Sequence, residues 1–143
     1  MEKESNPVST TYFLKTIALL CFAFLLLVPG IAGAASLYVL PSFGSHSVGS
    51  TFGVSIYVSS ADQAMNAASG ILSFPQDKLE VVSLSKAGSV VALWVQEPSF
   101  SNTLGTATFE GIVLNPGFTG TAGKIISATF RVKAAGAAPV VFS

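Results

Sequence analysis

Ionisable side chains are scarce. Asp, Glu, Lys and Arg together make up 10% of the 143 residues, seven acids against seven bases, and there is one histidine. Catalysis by paired groups therefore has little to draw on. Beyond residue 34 the carboxylates are Asp62, Asp77, Glu80, Glu97 and Glu110, each in a turn or on a strand surface, whereas a glycosidase needs two that converge. His46 stands alone, so a zinc site would have to be completed by carboxylates. Its context, GSHSVG, is not a nucleophile elbow, because Ser45 occupies a position that requires glycine. No phosphate loop and no Asp-rich calcium loop occurs. Net charge is zero and no Lys/Arg cluster is present, which excludes nucleic acid as a partner, since phosphate binding needs local positive charge. The residues thus point to no enzyme, no metal and no cofactor.

Cysteine is nearly absent too. Cys21 is the only one, and it lies inside an N-terminal apolar run at residues 16–28, TIALLCFAFLLLV. A lipoprotein site has a small residue before its cysteine; here that residue is Leu20. Lys15 precedes the run, Pro29-Gly30 breaks it, and Ala32-Gly33-Ala34 supplies a small-x-small site for signal peptidase. Residues 1–34 read as a signal-peptide helix, cut after Ala34 or Ala35. Glu2 and Glu4 offset Lys3, which is unusual for such a leader. The competing reading is an uncleaved anchor, because residues 16–35 are uncharged and about long enough to span a bilayer. The cleaved chain contains no cysteine and must be held by its core alone.

The third absence is of helix. Beyond residue 36 there is no amphipathic helical stretch; Val, Ile, Thr, Phe, Ser and Gly dominate, a mix that favours strands and glycine turns. Short apolar runs predict strands over 36–40, 51–59, 67–74, 79–84, 90–96, 106–114 and 124–133, with another beginning at Val140. In the second, Phe52, Val54, Ile56 and Val58 alternate with small or polar residues. In the sixth, Ala107, Phe109 and Gly111 share one face and Thr106, Thr108 and Glu110 the other. The seventh puts Ile126, Ala128, Phe130 and Val132 on one face. Asp62 to Asn66, Asn115-Pro116-Gly117 and Gly120 to Gly123 are expected to be connections or turns. The fold class is all-β, a β-sandwich with jelly-roll topology over residues 35–143. An outer-membrane barrel is the weaker reading, as the strands are short and irregularly spaced.

Four stretches carry a family resemblance: residues 37–41 with 52–58; GILSFPQDKLEVVSL at 70–84; Gly105 to Gly111 with Asn115-Pro116-Gly117; and GKIISATFRV at 123–132. In that order and spacing the chain resembles a cohesin domain, a sandwich related to carbohydrate-binding modules. The resemblance implies a non-catalytic module that docks a dockerin, a small calcium-loaded helical partner, on one flat sheet face. It implies a partner-binding set of Ala67, Ser69, Ile71 and Ser73 on the third strand, with Thr108, Glu110, Trp94 and Gln96 from neighbours. The family carries Asn and Asp near the positions held here by Ala67 and Ser69. It also implies closing strands beyond Ser143, so the domain is expected to lack its C-terminal strands.

Alternatives stay open residue by residue. Ile71 is an interface residue or is covered by a loop, Trp94 is an exposed platform or core, and Glu110 is a binding group or a solvated strand residue. At the level of function, the rivals are a carbohydrate-binding module stacking sugars on Trp94, Tyr57 or Phe100, with polysaccharide as partner, and a structural surface protein. The reading places the chain outside the cytoplasm, secreted or at the cell surface. Export by a bacterial host should release a product whose N-terminal sequence starts at Ala35 or Ser36; a membrane-bound product retaining residues 1–34 would establish the anchor instead.

Overall fold

A computed structural model describes residues 35–143, together with Lys15 and Ile17, both helical. The apolar run and the cleavage site otherwise lie outside the described residues. Eight strands follow in order: β1 (Ser36–Leu40), β2 (Thr51–Met65), β3 (Ala67–Ser73), β4 (Leu79–Ser85), β5 (Leu93–Ser101), β6 (Thr106–Ile112), β7 (Phe118–Val132) and β8 (Val141–Phe142). They form two four-stranded sheets, β1-β2-β7-β4 and β5-β6-β3-β8, with every ladder antiparallel. Because the chain passes repeatedly from one sheet to the other, the result is a jelly-roll sandwich and not a closed barrel.

The alternation in β2 and β7 builds the core. Phe52 lies opposite Phe130, Val54 opposite Ala128 and Ile56 opposite Ile126, so the apolar rows of the two strands coincide and face the other sheet. Phe130 is fully buried. Phe52 stacks on it at 5.6 Å between ring centroids, and Phe74, just beyond β3, meets it edge-on at 5.2 Å, ring arrangements that aromatic quadrupoles favour. One residue breaks the alternation. Ile56 pairs with Ile126 and Tyr57 with Lys124, leaving Ile125 as a bulge. Both Ile125 and Ile126 are fully buried, so the bulge adds a core side chain without shifting the rest of the strand outward.

Several boundaries differ from those read in the sequence. β2 does not stop at Ser59 but runs to Met65, and residues 120–123 are strand, not turn: Ser60 pairs with Gly120 and Met65 with Phe118. Between those two pairs the register shifts and residues 61–64 have no ladder partner, so Asp62 sits in a bulge, while pairing overrides the turn preference of the glycines. The glycines serve a packing purpose, since a Cβ on Gly123 would lie 2.6 Å from the Phe118 ring. β5 begins at Leu93, not Val90, and runs to Ser101 through Pro98. Proline is tolerated because β5 is an edge strand with two register shifts. Both β6 and β3 end a residue or two earlier than their apolar runs.

A polar tie links the sheets. Asn102, in the turn after β5, accepts a hydrogen bond from the Val81 N–H (2.7 Å) and donates one to the Val81 carbonyl (3.0 Å). Its amide therefore stands in for the strand that β4 lacks on its outer side. Replacing Asn102 with Ala leaves two part-buried backbone groups without these partners, and should cost about 1–3 kcal/mol in urea unfolding. An unchanged midpoint would show that water replaces the amide fully.

Candidate functional site

The outward face of β5-β6-β3-β8 is set by the register of its ladders. Inward positions on β3 are Ala68, Gly70 and Leu72, and on β6 Ala107, Phe109 and Gly111. Their neighbours must therefore point out. The ladders arrange these in transverse rows: Ala67, Ile112, Leu93; then Ser69, Glu110, Gln96; then Ile71, Thr108, Ser99; then Ser73, Thr106, Ser101. Beyond β3, Val141 lies beside Ser73, and the Ser143 N–H donates to the Ile71 carbonyl (3.1 Å).

Small side chains make this face flat. Hydroxyls fill much of it, and two pairs are already tied together: Ser99 Oγ to Thr108 Oγ1 at 3.0 Å and Ser73 Oγ to Ser143 Oγ at 2.6 Å. Among them stand apolar side chains with substantial exposure, Ile71 (45%), Leu93 (55%) and Val141 (51%). Glu110 is exposed and is the one charged residue in the four rows; no ion pair to it occurs among the described residues.

Seven of the eight residues singled out from sequence therefore share one face: Ala67, Ser69, Ile71, Ser73, Gln96, Thr108 and Glu110. Ile71 is not covered by a loop. Trp94 does not join them. It pairs with Gly111 on the inner side, is half-buried, and packs against the core, with the Lys86 ammonium 5.8 Å from its ring centroid. A Cβ on Gly111 would lie 3.2 Å from that ring, so the glycine makes room for the indole. The sequence reading put Thr106 on the face of Thr108 and Glu110 without singling it out, and it missed Leu93, Ile112, Ser99, Ser101 and Val141. Most lie on β5 or at strand ends, where bulges interrupt the alternation that would have marked them.

The aromatics named for a sugar platform do not come together. Trp94 is on the inner side, Phe100 pairs with the inward Ala107, and Tyr57 stands on the opposite sheet stacked against Tyr38 at 5.6 Å. Two of the five carboxylates are in ion pairs, Glu80 with Arg131 (3.1 Å) and Glu97 with Lys86 (2.6 Å). Among the described residues no three His, Cys, Asp or Glu side chains gather as a metal site would require. His46 lies flat on Phe52, with ring centroids 4.1 Å apart.

No protein-family model and no curated sequence matches the chain. Solved structures do. The sixth cohesin of scaffoldin B from Acetivibrio cellulolyticus, solved in complex with a mutant Cel5 dockerin, superposes with a TM-score of 0.61 at 18% identity, over 76% of this chain and 81% of that one. The sandwich has the cohesin fold. CaCohA2 from Clostridium acetobutylicum gives the same TM-score at 16% identity, over 76% of this chain and 74% of that one. A Clostridium thermocellum cohesin, Coh-OlpC, solved in a type I complex with Doc435, gives 0.52 at 12% identity over 66% and 70%.

The flatness of the face depends on what lies beneath it. A Cβ on Gly70 would sit 2.7 Å from Cζ of Phe109, whose ring crosses the inner side of β3. Gly70→Ala should therefore force the ring or the strand to move and cost about 1–3 kcal/mol, read as a lowered melting temperature. A variant as stable as the parent would mean that Phe109 can swing aside freely.

Proposed function

We propose that the chain is an exported, non-catalytic docking module, and that it binds a dockerin-type partner through the outward face of β5-β6-β3-β8 in polysaccharide breakdown or surface display. The observation that carries this reading is the gathering of Ala67, Ser69, Ile71, Ser73, Gln96, Thr108 and Glu110 on one exposed plane, in a fold whose solved neighbours include several complexes with dockerins. The face suits protein docking physically. Ser and Thr lose little side-chain entropy when covered, and the tied hydroxyls are ordered before contact. Exposed Ile71 and Leu93 offer apolar area to exclude water, with hydrogen-bonding groups around them. Glu110 calls for a cation or N–H donors opposite it. The same chemistry excludes an acidic partner surface at that point.

The test is calorimetric titration of the exported chain with a panel of calcium-loaded dockerins. At least one should bind. Ile71→Asp should weaken that binding by about 2 kcal/mol or more, roughly thirtyfold in Kd, because it places a second carboxylate in the row next to Glu110. Trp94→Phe should leave the affinity nearly unchanged, since Trp94 lies on the inner side. A folded chain that binds no dockerin, or an Ile71→Asp variant that binds like the parent, would overturn the reading.

A further inference from the structure

The outward face of β1-β2-β7-β4 differs in kind from the docking face. The ladders set the outward positions of β2 and β7 in successive rows: Tyr57 with Tyr38 of β1, then Ser55 with Ser127, then Gly53 with Thr129, then Thr51 with Arg131. The Tyr38 hydroxyl donates to the Thr121 carbonyl on β7 (2.8 Å), which draws its ring inward across β2. There it stacks on Tyr57, with ring centroids 5.6 Å apart and planes at 19°. Both tyrosines are half-buried. At the other end of the rows Arg131 pairs with Glu80 of β4 at 3.1 Å. A closing strand beside β1 would widen this sheet without covering its face.

Gly53 stands in the middle of this run, with Phe52 and Val54 packed inward on either side. A Cβ there would meet nothing within 4 Å, and its φ is not left-handed, so neither packing nor backbone conformation calls for glycine. Glycine inside a strand costs stability, and it often marks a bulge, a bend or the close approach of a ligand. The ladder is regular from Thr51 to Ile56, which leaves the last. The neighbours fit that use. Between the tyrosines and the ion pair, β2 and β7 present only Ser, Gly and Thr outward, and the Ser55 and Ser127 hydroxyls are tied at 2.9 Å. A protein interface has an apolar centre, and these rows have none. They also carry no net charge, because Arg131 and Glu80 offset each other. Lys124, beside Tyr57, leans toward the β4–β5 connection, its Cδ 3.9 Å from where a Cβ on Gly88 would lie.

We propose that this face binds a neutral polysaccharide. The partly positive C–H groups of a pyranose ring stack on the negative faces of aromatic rings, which the Tyr38–Tyr57 pair supplies. Sugar hydroxyls both donate and accept hydrogen bonds, and so do those of Ser127 and Thr129. Arg131 keeps N–H donors, and Glu80 an acceptor oxygen, beyond the bond they share, a combination that suits a vicinal diol. From Tyr57 to Thr51 the run is roughly 20 Å long at about 3.3 Å per residue, the reach of a short oligosaccharide. The glycan passes closest to the backbone over Gly53. Dockerin docking uses the opposite sheet, so one module holds a protein on one side and a glycan on the other.

The test is affinity electrophoresis of the full chain from an exporting host, as released or, where it stays on the membrane, in detergent. The gels contain xylan, mixed-linkage glucan or glucomannan, with polygalacturonate as the charged comparison. At least one neutral polymer should retard the chain, and polygalacturonate should not. Tyr57→Ala should weaken that binding about tenfold. Gly53→Val should weaken it about tenfold or more, because the side chain fills the space over the backbone. Its melting temperature should hold or rise, since valine suits a strand and meets no neighbour there. Ile71→Asp, on the other sheet, should bind glycan like the parent. A parent retarded by no neutral polymer, or held more tightly by polygalacturonate, would overturn the proposal. So would a Gly53→Val variant that binds like the parent or loses stability, or an Ile71→Asp variant that no longer binds glycan.

Discussion

The sandwich depends on the ladder between β2 and β7. These are the two longest strands, 15 residues each, and each carries a third member of its sheet, β1 on β2 and β4 on β7. Their apolar rows coincide residue for residue at Phe52–Phe130, Val54–Ala128 and Ile56–Ile126. A one-residue slip would turn that whole set toward solvent, so the burial of one face locks the register of everything attached to it. Phe74 extends the constraint to the other sheet, because it follows β3 and meets Phe130 edge-on.

Packing on the inside leaves the outside free. On β3 and β6 the inner positions are tightly specified: Gly70 lies under the Phe109 ring, and Gly111 makes room for Trp94 and Val91. The intervening positions carry no such demand, and they hold Ser, Thr, one Ala, two Ile and one Glu, side chains whose value lies in what they offer a partner. The two outward faces diverge accordingly. That of β1-β2-β7-β4 carries the stacked Tyr38–Tyr57 pair and the Glu80–Arg131 ion pair. That of β5-β6-β3-β8 is flat, rich in hydroxyls and charged only at Glu110. A docking reading belongs to the second.

Strands were legible wherever one face was buried and the other wet. β1 could be placed to the residue, and β4, β6 and the core half of β7 to within a residue or two, because alternation is a direct consequence of pleating. The signal failed where pairing occurs without burial. The far end of β2, around Asp62 and Gln63, is mostly exposed and looks like a loop to any argument from hydropathy; the strand is resumed at Met65 because Phe118 of β7 pairs with it across a bulge. It failed again on β5, where two register shifts scramble the period, and at Ile125, whose burial follows from a bulge that only the partner strand defines.

By itself the sequence determined an all-β chain with a scarcity of ionisable groups, an inward row on each regular strand, and hence that Thr108 and Glu110 share the face opposite Ala107 and Phe109. Each of these follows from local chemistry and a period of two. Tertiary structure alone decided that Ser69 and Ile71 stand in rows with them, that Leu93 and Val141 complete the plane, and that Trp94 turns inward. Those outcomes depend on which strands become neighbours and in what register, and that is settled by burial of the combined apolar rows, a property of the assembled sheets that no single strand carries.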